Sequence, residues 1–393
     1  MKIIVQKFGG TSVSTYEKRQ RIIDKVRRAQ KEGFLPIVVV SAMGRKGEPY
    51  ATDSLLSLIK EDFRKKNLEA SDLLASCGEI ISTVVMSNDL NESNIESMPL
   101  TGGQAGIVTD ENFTNAKVLN VDTVRLKKLL NEGIVPVIAG FQGVTEDGRI
   151  TTIGRGGSDV TAAIVGAAVE AELVEIYTDV DGIMTTDPRI VPNASLIKNI
   201  SYNEVFQFAD QGAKVIHPRA VEVAEKYNLK MVIKNTMSDS EGTIISRYCE
   251  DKRVVAGIAG MSNRTHIRVP FNGNMKYFEI FTILAHNNIS IDLINVFPKE
   301  KIFTIDDGKF EDIKAIFEEL DIEFTYVKGC TKIAIIGSGM KGIPGVMAKI
   351  LIALTKSNIE VLQTADSHMT IWCLVKSEES KEAIKALHDE FEL

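Results

Sequence analysis

Residues 2–12 read KIIVQKFGGTS, an apolar run that passes straight into a lysine and a pair of glycines. The branched side chains of Ile3, Ile4 and Val5 predict a strand buried on both faces. Gly9 and Gly10 let backbone N–H groups approach an anion with no Cβ in the way, and Lys7 adds a mobile positive charge. Ser14, with Glu17 three residues later, has capping-box spacing. A helix is therefore expected just past the glycines, its positive end toward the same anion. The spacing is not that of a Walker A loop. Taken alone, the stretch fits a phosphate cradle or a plain tight turn.

Outward from this turn, apolar strands near Ile3, Ile37, Val135, Leu173 and Met231 alternate with helical patterns near Ile22, Leu126, Ala162 and Val221. That alternation predicts an α/β unit, a mostly parallel sheet sandwiched by helices. A second glycine loop, Gly154-Arg155-Gly156-Gly157-Ser158-Asp159, follows a short strand at 150–153 and opens a small-residue helix, with Ser158 or Asp159 as its cap. Arg155 offers a planar fork to a carboxylate or phosphate, and Asp159 an acceptor to an ammonium group. Such a pair suits an α-amino acid, and a surface turn with an incidental ion pair is the alternative. At 178–189 the sequence TDVDGIMTTDPR follows the apolar 173–177, placing a polar loop at the carboxyl end of a strand, where open α/β sheets bind ligands. It lacks the regular oxygen positions and glutamate of an EF-hand. A fourth segment, 212–218, sets Lys214 and His217 before a helix, with His217 next to Pro218 in a packing or capping position.

After Arg247 the texture changes to an internal βαββα repeat. One unit runs from His266 through Ile280, Leu284 and Asn288-Ile289 to a helix at 310–320, the other from Lys332 through Ile350, Leu354 and Asn358-Ile359 to a helix at 381–391. The first unit has a closing strand at 322–327. The last reaches Leu393 without one, and the apolar stretch 253–259 has no counterpart in either repeat. That stretch is therefore expected to cross over and complete the second unit's sheet. Gly337-Ser338-Gly339-Met340-Lys341-Gly342 fits the G-x-G-x-x-G fingerprint, with Glu360 near the distance of a ribose-binding acid. Too few residues follow for a dinucleotide fold, and Pro344 interrupts the helix start, so the loop reads instead as a close approach for a small effector or a neighbouring module.

The 393 residues suffice for two or three domains, and 44% hydrophobic content fills real cores. A net charge of −7, from 46 basic and 53 acidic residues, argues against a nucleic-acid surface. Four scattered cysteines carry neither metal spacing nor a disulfide framework, which fits a reducing, cytoplasmic compartment. No membrane span is expected, and residues 2–5 are too short for a signal peptide.

Taken in order, KFGGTS at 7–12, Ser41 and Thr52 in VVVSAMG…ATD, SCGEIIS around Glu79, AGFQG at 139–143, GRGGSD at 154–159, YTDVDGIMTTDPR at 177–189 and GAKVIHPRA at 212–220 resemble the aspartate kinases of the amino acid kinase family. The resemblance covers essentially the whole chain. It implies an amino acid kinase domain at 1–247, a linker and crossing strand at 248–262, and two ferredoxin-like βαββαβ (ACT) modules at 263–330 and 331–393. It further implies phosphoryl transfer from ATP to the side-chain carboxylate of L-aspartate, giving 4-phospho-L-aspartate for the lysine, threonine, methionine and diaminopimelate routes. Lys7, Gly9, Gly10 and Lys214 would surround the phosphates, with Lys7, Lys214 and Asp159 as the catalytic set. Thr178, Asp179, Met184, Asp187 and Arg189 would line the nucleotide. Ser41, Thr52, Glu79, Arg155, Gly156, Gly157, Ser158 and Asp159 would hold aspartate, Arg155 on the α-carboxylate and Asp159 on the α-ammonium.

The implied cofactors are ATP and a Mg2+ ion held mainly by the nucleotide's phosphates, with no dedicated protein metal site. The segment 45–50 looks longer than in many relatives, which loosens the assignment of Thr52. A catalytically retired amino-acid sensor and a kinase for another acidic amino acid are the alternatives, and the intact Lys7, Arg155, Asp159 and Lys214 speak against retirement. At 365–372, ADSHMTIW, together with Asp292-Leu293-Ile294-Asn295, looks like the diaminopimelate-sensitive Bacillus-type branch, so diaminopimelate is preferred to lysine or threonine as effector. Exposed ACT sheet edges make a homodimer, or a larger homo-oligomer, the expected assembly.

Overall fold

The apolar runs of the first half assemble into one eight-stranded sheet in the computed structural model, which describes residues 1–212, 215–247 and 253–393. Its strand order is Asn199–Ser201, Thr243–Ser246, Met231–Asn235, Leu173–Thr178, Ile3–Phe8, Leu35–Val40, Val135–Ala139, Ser97–Leu100. All neighbours run parallel except Met231–Asn235 with Thr243–Ser246. The Ile3–Phe8 strand lies between Leu35–Val40 and Leu173–Thr178, with Phe8 in register with both Val40 and Tyr177. Strands so placed are covered on both faces, which is why Val5, Phe8 and residues 37–40 are wholly buried.

The helix Tyr16–Lys31 covers one face, burying Ile22, Ile23 and Val26 against Phe8, Val38 and Val40. Each such burial is worth roughly 2 kcal/mol. Its cap is Thr15, whose Oγ1 accepts from Lys18 N at 3.4 Å, and not the expected Ser14. Ser14 ends a single turn, Gly10–Val13, and donates its hydroxyl to Thr11 O at 3.0 Å. The helix Gly157–Ala168 needs its small residues, since a Cβ on Gly166 would stand 2.6 Å from Val174 Cγ2. Its cap is the left-handed Gly156, at φ +69°, so Ser158 and Asp159 fall inside the first turn. A small second sheet of Val118–Val121, Ile107–Thr109, Gln142–Val144 and Ile150–Thr152, which the sequence did not announce, stands beside the main one.

The helix Leu68–Glu92 is, by length and composition alone, long and apolar enough to cross a membrane. Its buried face nevertheless carries Asp72, Glu79 and Asp89, positions of a core helix in this fold. Asp72 accepts from Thr114 N, Thr152 N and Thr152 Oγ1 at 2.7–2.8 Å, which stitches the helix to the small sheet. Burial outweighs these bonds and raises its pKa.

The chain divides into two compact units, and the division does not follow residue 247 alone: Met184–Ser195 groups with the C-terminal part. Ile190 and Val191 are the reason, since both pack into the core formed by Ile258, Ile333, Ile350, Leu354 and Leu387. This second unit is one six-stranded antiparallel sheet, ordered Asp292–Phe297, Glu300–Asp306, Gly257–Pro270, Thr325–Ile336, Thr370–Lys376, Gln363–Asp366. A separate core under the first module gathers Ile267, Phe303, Phe310 and Phe317.

Two of these strands are longer than the repeat implied. Gly257–Pro270 pairs through 257–261 with 332–336 of the second module, and through 264–268 with 325–330 of the first. An irregularity near Asn263, at φ +60°, changes register between them. The expected crossing strand at 253–259 thus pairs with the second module from Gly257, and fuses with the first strand of the first. The glycine fingerprint also finds its use here. A Cβ on Gly337 would meet Val254 O at 2.3 Å, and one on Gly339 would meet Arg253 O at 2.3 Å, so the chain's own backbone is what approaches.

Candidate active site

Parallel strands leave their carboxyl ends and the loops that follow on one edge of the sheet, and the sequence motifs gather there. Lys7 is the penultimate residue of its strand, with Gly9 and Gly10 immediately after Phe8; Ser41 follows Val40, Gly140 follows Ala139, and Thr178 ends its own strand. Gly10 is fixed by crowding, because a Cβ there would lie 2.5 Å from Ala42 O and 2.8 Å from Gly44 O. Gly44 N donates back to Gly10 O at 3.0 Å, which ties the two loops together. Gly156 is fixed in the same way by the His217 ring, 2.1 Å from where its Cβ would be.

These loops enclose a cavity of about 350 Å³. Lys7, Gly10, Ser41, Thr52, Glu79, Gly156, Gly157, Ser158 and Asp159 all line it. Lys7 Nζ stands 2.6 Å from Asp159 Oδ1, both side chains nearly buried, so the lysine of the first glycine loop meets the acid of the second. Asp159 Oδ2 also accepts from His217 N at 3.4 Å. His217 caps the helix Pro218–Tyr227 by accepting from Arg219 N, and burial lowers its pKa.

Glu79 sits at the back of the cavity, 3% exposed. Its Oε1 accepts from Ala42 N at 3.1 Å, while Oε2 has no hydrogen-bond partner among the described residues. Burial pushes its carboxyl up to about 8 against the opposing backbone hydrogen bonds, which favours the protonated acid at neutral pH.

Other sequence candidates lie outside this lining. Gly9 precedes the Gly10 turn and donates its N–H to Tyr177 O at 3.3 Å. Arg155 is exposed beside the lining glycines. Thr178 donates to Asp179 Oδ1 at 3.2 Å, and Asp179 pairs with Arg45 at 2.7 Å. Met184, Asp187 and Arg189 belong to the second unit, where Arg189 clasps Asp187 through two nitrogens and holds its carboxyl below the usual range. Lys214 lies outside the described residues. The lining residues that sequence reasoning missed are Ala42, Gly44, Arg45, Lys46, Ala51, Asp53 and Phe141. For Ala42, Gly44 and Phe141 the signal was position, just after strands that end at the site, whereas Ala51 and Asp53 sit at the start of the Thr52–Leu56 helix.

A mostly parallel sheet with two glycine loops converging on a charged cavity, followed by paired βαββα modules, is the architecture of a small-molecule kinase with a sensing region. A sequence model of the amino acid kinase family matches residues 2–235, and one of the ACT domain matches 325–389. Aspartokinase 1 of Bacillus subtilis is 43% identical over 402 aligned residues, covering all of both chains. Among solved structures, aspartokinase III of E. coli in complex with aspartate and ADP is 27% identical with a TM-score of 0.78, covering 99% of each chain. The same enzyme in complex with lysine and aspartate gives 0.80 over the full length of both. The chain belongs to the amino acid kinase family, in its aspartokinase branch.

Proposed function

We propose that the protein transfers the γ-phosphoryl group of ATP to the side-chain carboxylate of L-aspartate, giving 4-phospho-L-aspartate, under feedback control through its ACT modules. The observation that carries the reading is the single cavity in which Lys7 meets Asp159 above a buried Glu79. Lys7 and the amides around Gly9 and Gly10 receive the phosphates, with Lys214 as the second lysine. Thr178, Asp179, Met184, Asp187 and Arg189 serve the nucleotide. Ser41, Thr52, Glu79, Gly156, Gly157 and Ser158 shape the aspartate pocket, Arg155 reaching the α-carboxylate and Asp159 the α-ammonium.

The nucleophile needs no base, because a free aspartate side chain with a pKa near ~3.9 is already ionised at neutral pH. The protein's task is to hold two anions together and stabilise the charge on the group in flight. A magnesium ion would be carried mainly on the nucleotide's phosphates and water. Such an ion would supply charge neutralisation at the phosphates.

At the ACT modules the effector is an amino acid, diaminopimelate ahead of lysine or threonine. The outer strand Asp292–Phe297 presents exposed Ile294, Val296 and Phe297, which favours a homodimer as the smallest assembly. Free Cys77, Cys330 and Cys373 accord with a cytoplasmic setting.

The experiment is ADP release with aspartate, with glutamate and with no acceptor. Turnover dependent on aspartate is expected. Equal rates with glutamate would reassign the acceptor, and none with either would make the chain a sensor.

A further inference from the structure

The cavity must hold a dicarboxylate beside a triphosphate, yet its own positive charge is thin. Lys7, the cation at the glycine turn, already faces Asp159 at 2.6 Å, and Arg155 stands exposed outside the lining. The remaining cations of the lining are Arg45 and Lys46, on the loop that follows Gly44. Against them stand Asp53 and Glu79, and Glu79 contributes little negative charge while it keeps its proton.

Arg45 is poised in a particular way. Its Nη2 donates to Asp179 Oδ2 at 2.7 Å, and Asp179 directly follows the strand beside that of Lys7. Both partners are more than half exposed, at 69% and 56%, so water screens the pair and it is easily exchanged for another anion. The loop's backbone is held by Gly44 N on Gly10 O at 3.0 Å, Glu48 N on Arg45 O at 2.9 Å and Gly47 N on Ser54 Oγ at 3.1 Å, none of which involves the Arg45 side chain, and a Cβ on Gly47, at φ +99°, would meet nothing within 4 Å. A side chain held by a weak pair, on a loop rooted at the phosphate turn, can change partner without unfolding anything.

We propose that Arg45 is a further catalytic residue, one that leaves Asp179 when the substrates bind and closes its guanidinium on the γ-phosphoryl group during transfer. In that step the bond from the γ-phosphorus to the β–γ bridging oxygen breaks, its electron pair leaving on ADP. The bond to the aspartate carboxylate oxygen forms, and no proton moves. The three peripheral oxygens of the flying group carry charge that a planar fork matches in two places at once, whereas a lysine offers one point. This inference rests on the aspartate kinase reading above.

The test is steady-state kinetics of Arg45→Ala, Arg45→Lys and Lys46→Ala, with added guanidinium as the diagnostic. Arg45→Ala is expected to lower kcat at least about a hundredfold while leaving both KM values within a few fold. Arg45→Lys recovers part of the loss, Lys46→Ala loses less, and millimolar guanidinium restores turnover to Arg45→Ala alone. Because Arg45 is exposed, the variants should melt with the wild type. Unchanged kcat in Arg45→Ala, a loss confined to the KM for aspartate, or a loss that guanidinium cannot rescue overturns the proposal. Wild-type protein without aspartate-dependent ADP release would instead remove the reading on which it stands.

Discussion

Glu79→Gln should make the protein more stable at neutral pH while impairing its use of aspartate. The carboxyl is 3% exposed with one hydrogen bond, and burial raises it from 4.5 to about 8. Between those values the folded protein holds a proton that the unfolded chain has released, so stability falls as pH rises, by about 1.4 kcal/mol per unit. The contribution is complete below the unfolded value and lost as pH climbs through the folded one. At pH 7 the accumulated cost is roughly 3 kcal/mol. Glutamine keeps the acceptor for Ala42 N and titrates nowhere. Its amide occupies the place of Oε2, which is itself without a partner among the described residues. The variant should therefore gain roughly 3 kcal/mol over wild type near pH 7, and almost nothing near pH 4.5. Urea unfolding followed by far-UV circular dichroism at several pH values measures the difference. A wild-type-minus-variant gap that stays constant across that range would refute the reasoning, because a group that does not change protonation between states cannot bend the curve. Aspartate KM should rise in the same variant where wild-type Glu79 is ionised, since glutamine cannot take on that charge.

Lys7→Ala should lower kcat by orders of magnitude with the fold preserved by circular dichroism, because its charge acts on the moving phosphoryl group; an unchanged turnover would remove Lys7 from the site. Arg155→Lys keeps the charge but not the fork, so the KM for aspartate should rise strongly and that for ATP little, and equal effects on both would reassign the loop. Gly10→Ala forces a methyl to within 2.5 Å of Ala42 O, so thermal melts should show a loss of roughly 1–3 kcal/mol, while a wild-type melting curve would mean that the Ala42–Gly44 turn yields freely.

How much of this was legible depended on whether a feature was local. The buried strand at Ile3–Phe8, the glycine turn and the strand at Leu173–Thr178 are written in runs of branched residues and in glycine, and periodicity reads those directly. The cap moved by one residue, from Ser14 to Thr15, because Ser14 had a nearer acceptor in Thr11 O. The meeting of Lys7 with Asp159 is a product of topology, since Lys7 lies near the end of the Ile3–Phe8 strand and Asp159 in the first turn of the Gly157–Ala168 helix, far apart in sequence. Motif spacing supplied each residue but not the contact. Glu79 was recognised by its surrounding pattern, but its raised pKa depends on what packs around it. Arg45 was legible only as part of a longer loop. What makes it notable is the position of Asp179, and no pattern in the loop's own sequence records that.

The packing of Met184–Ser195 carries the regulatory argument beyond the strand crossing. Thr185 is a junction within the second unit: its carbonyl accepts from Ile258 N at 2.7 Å, its N–H donates to Ser195 O at 2.8 Å, and its hydroxyl accepts from Ser195 N at 3.0 Å. The same hydroxyl lies 3.0 Å from Nε2 of His388. His388 is buried on the last helix, Ser380–Glu390, and desolvation lowers its pKa, which favours the neutral ring. Three elements therefore meet at Thr185: the strand shared by both modules, the C-terminal helix of the second, and a stretch that runs covalently into TDVDGI at 178–183. An effector that shifts the second module's helix or the shared strand has to move Thr185 or break bonds to it. Coupling of this kind requires two arrangements of a connected element, each favoured by a different ligand. The segment whose bonds suit that role is Met184–Ser195, which holds Met184, Asp187 and Arg189, the residues proposed to serve the nucleotide. On that arrangement, inhibition should appear first in the handling of ATP and only secondarily in that of aspartate.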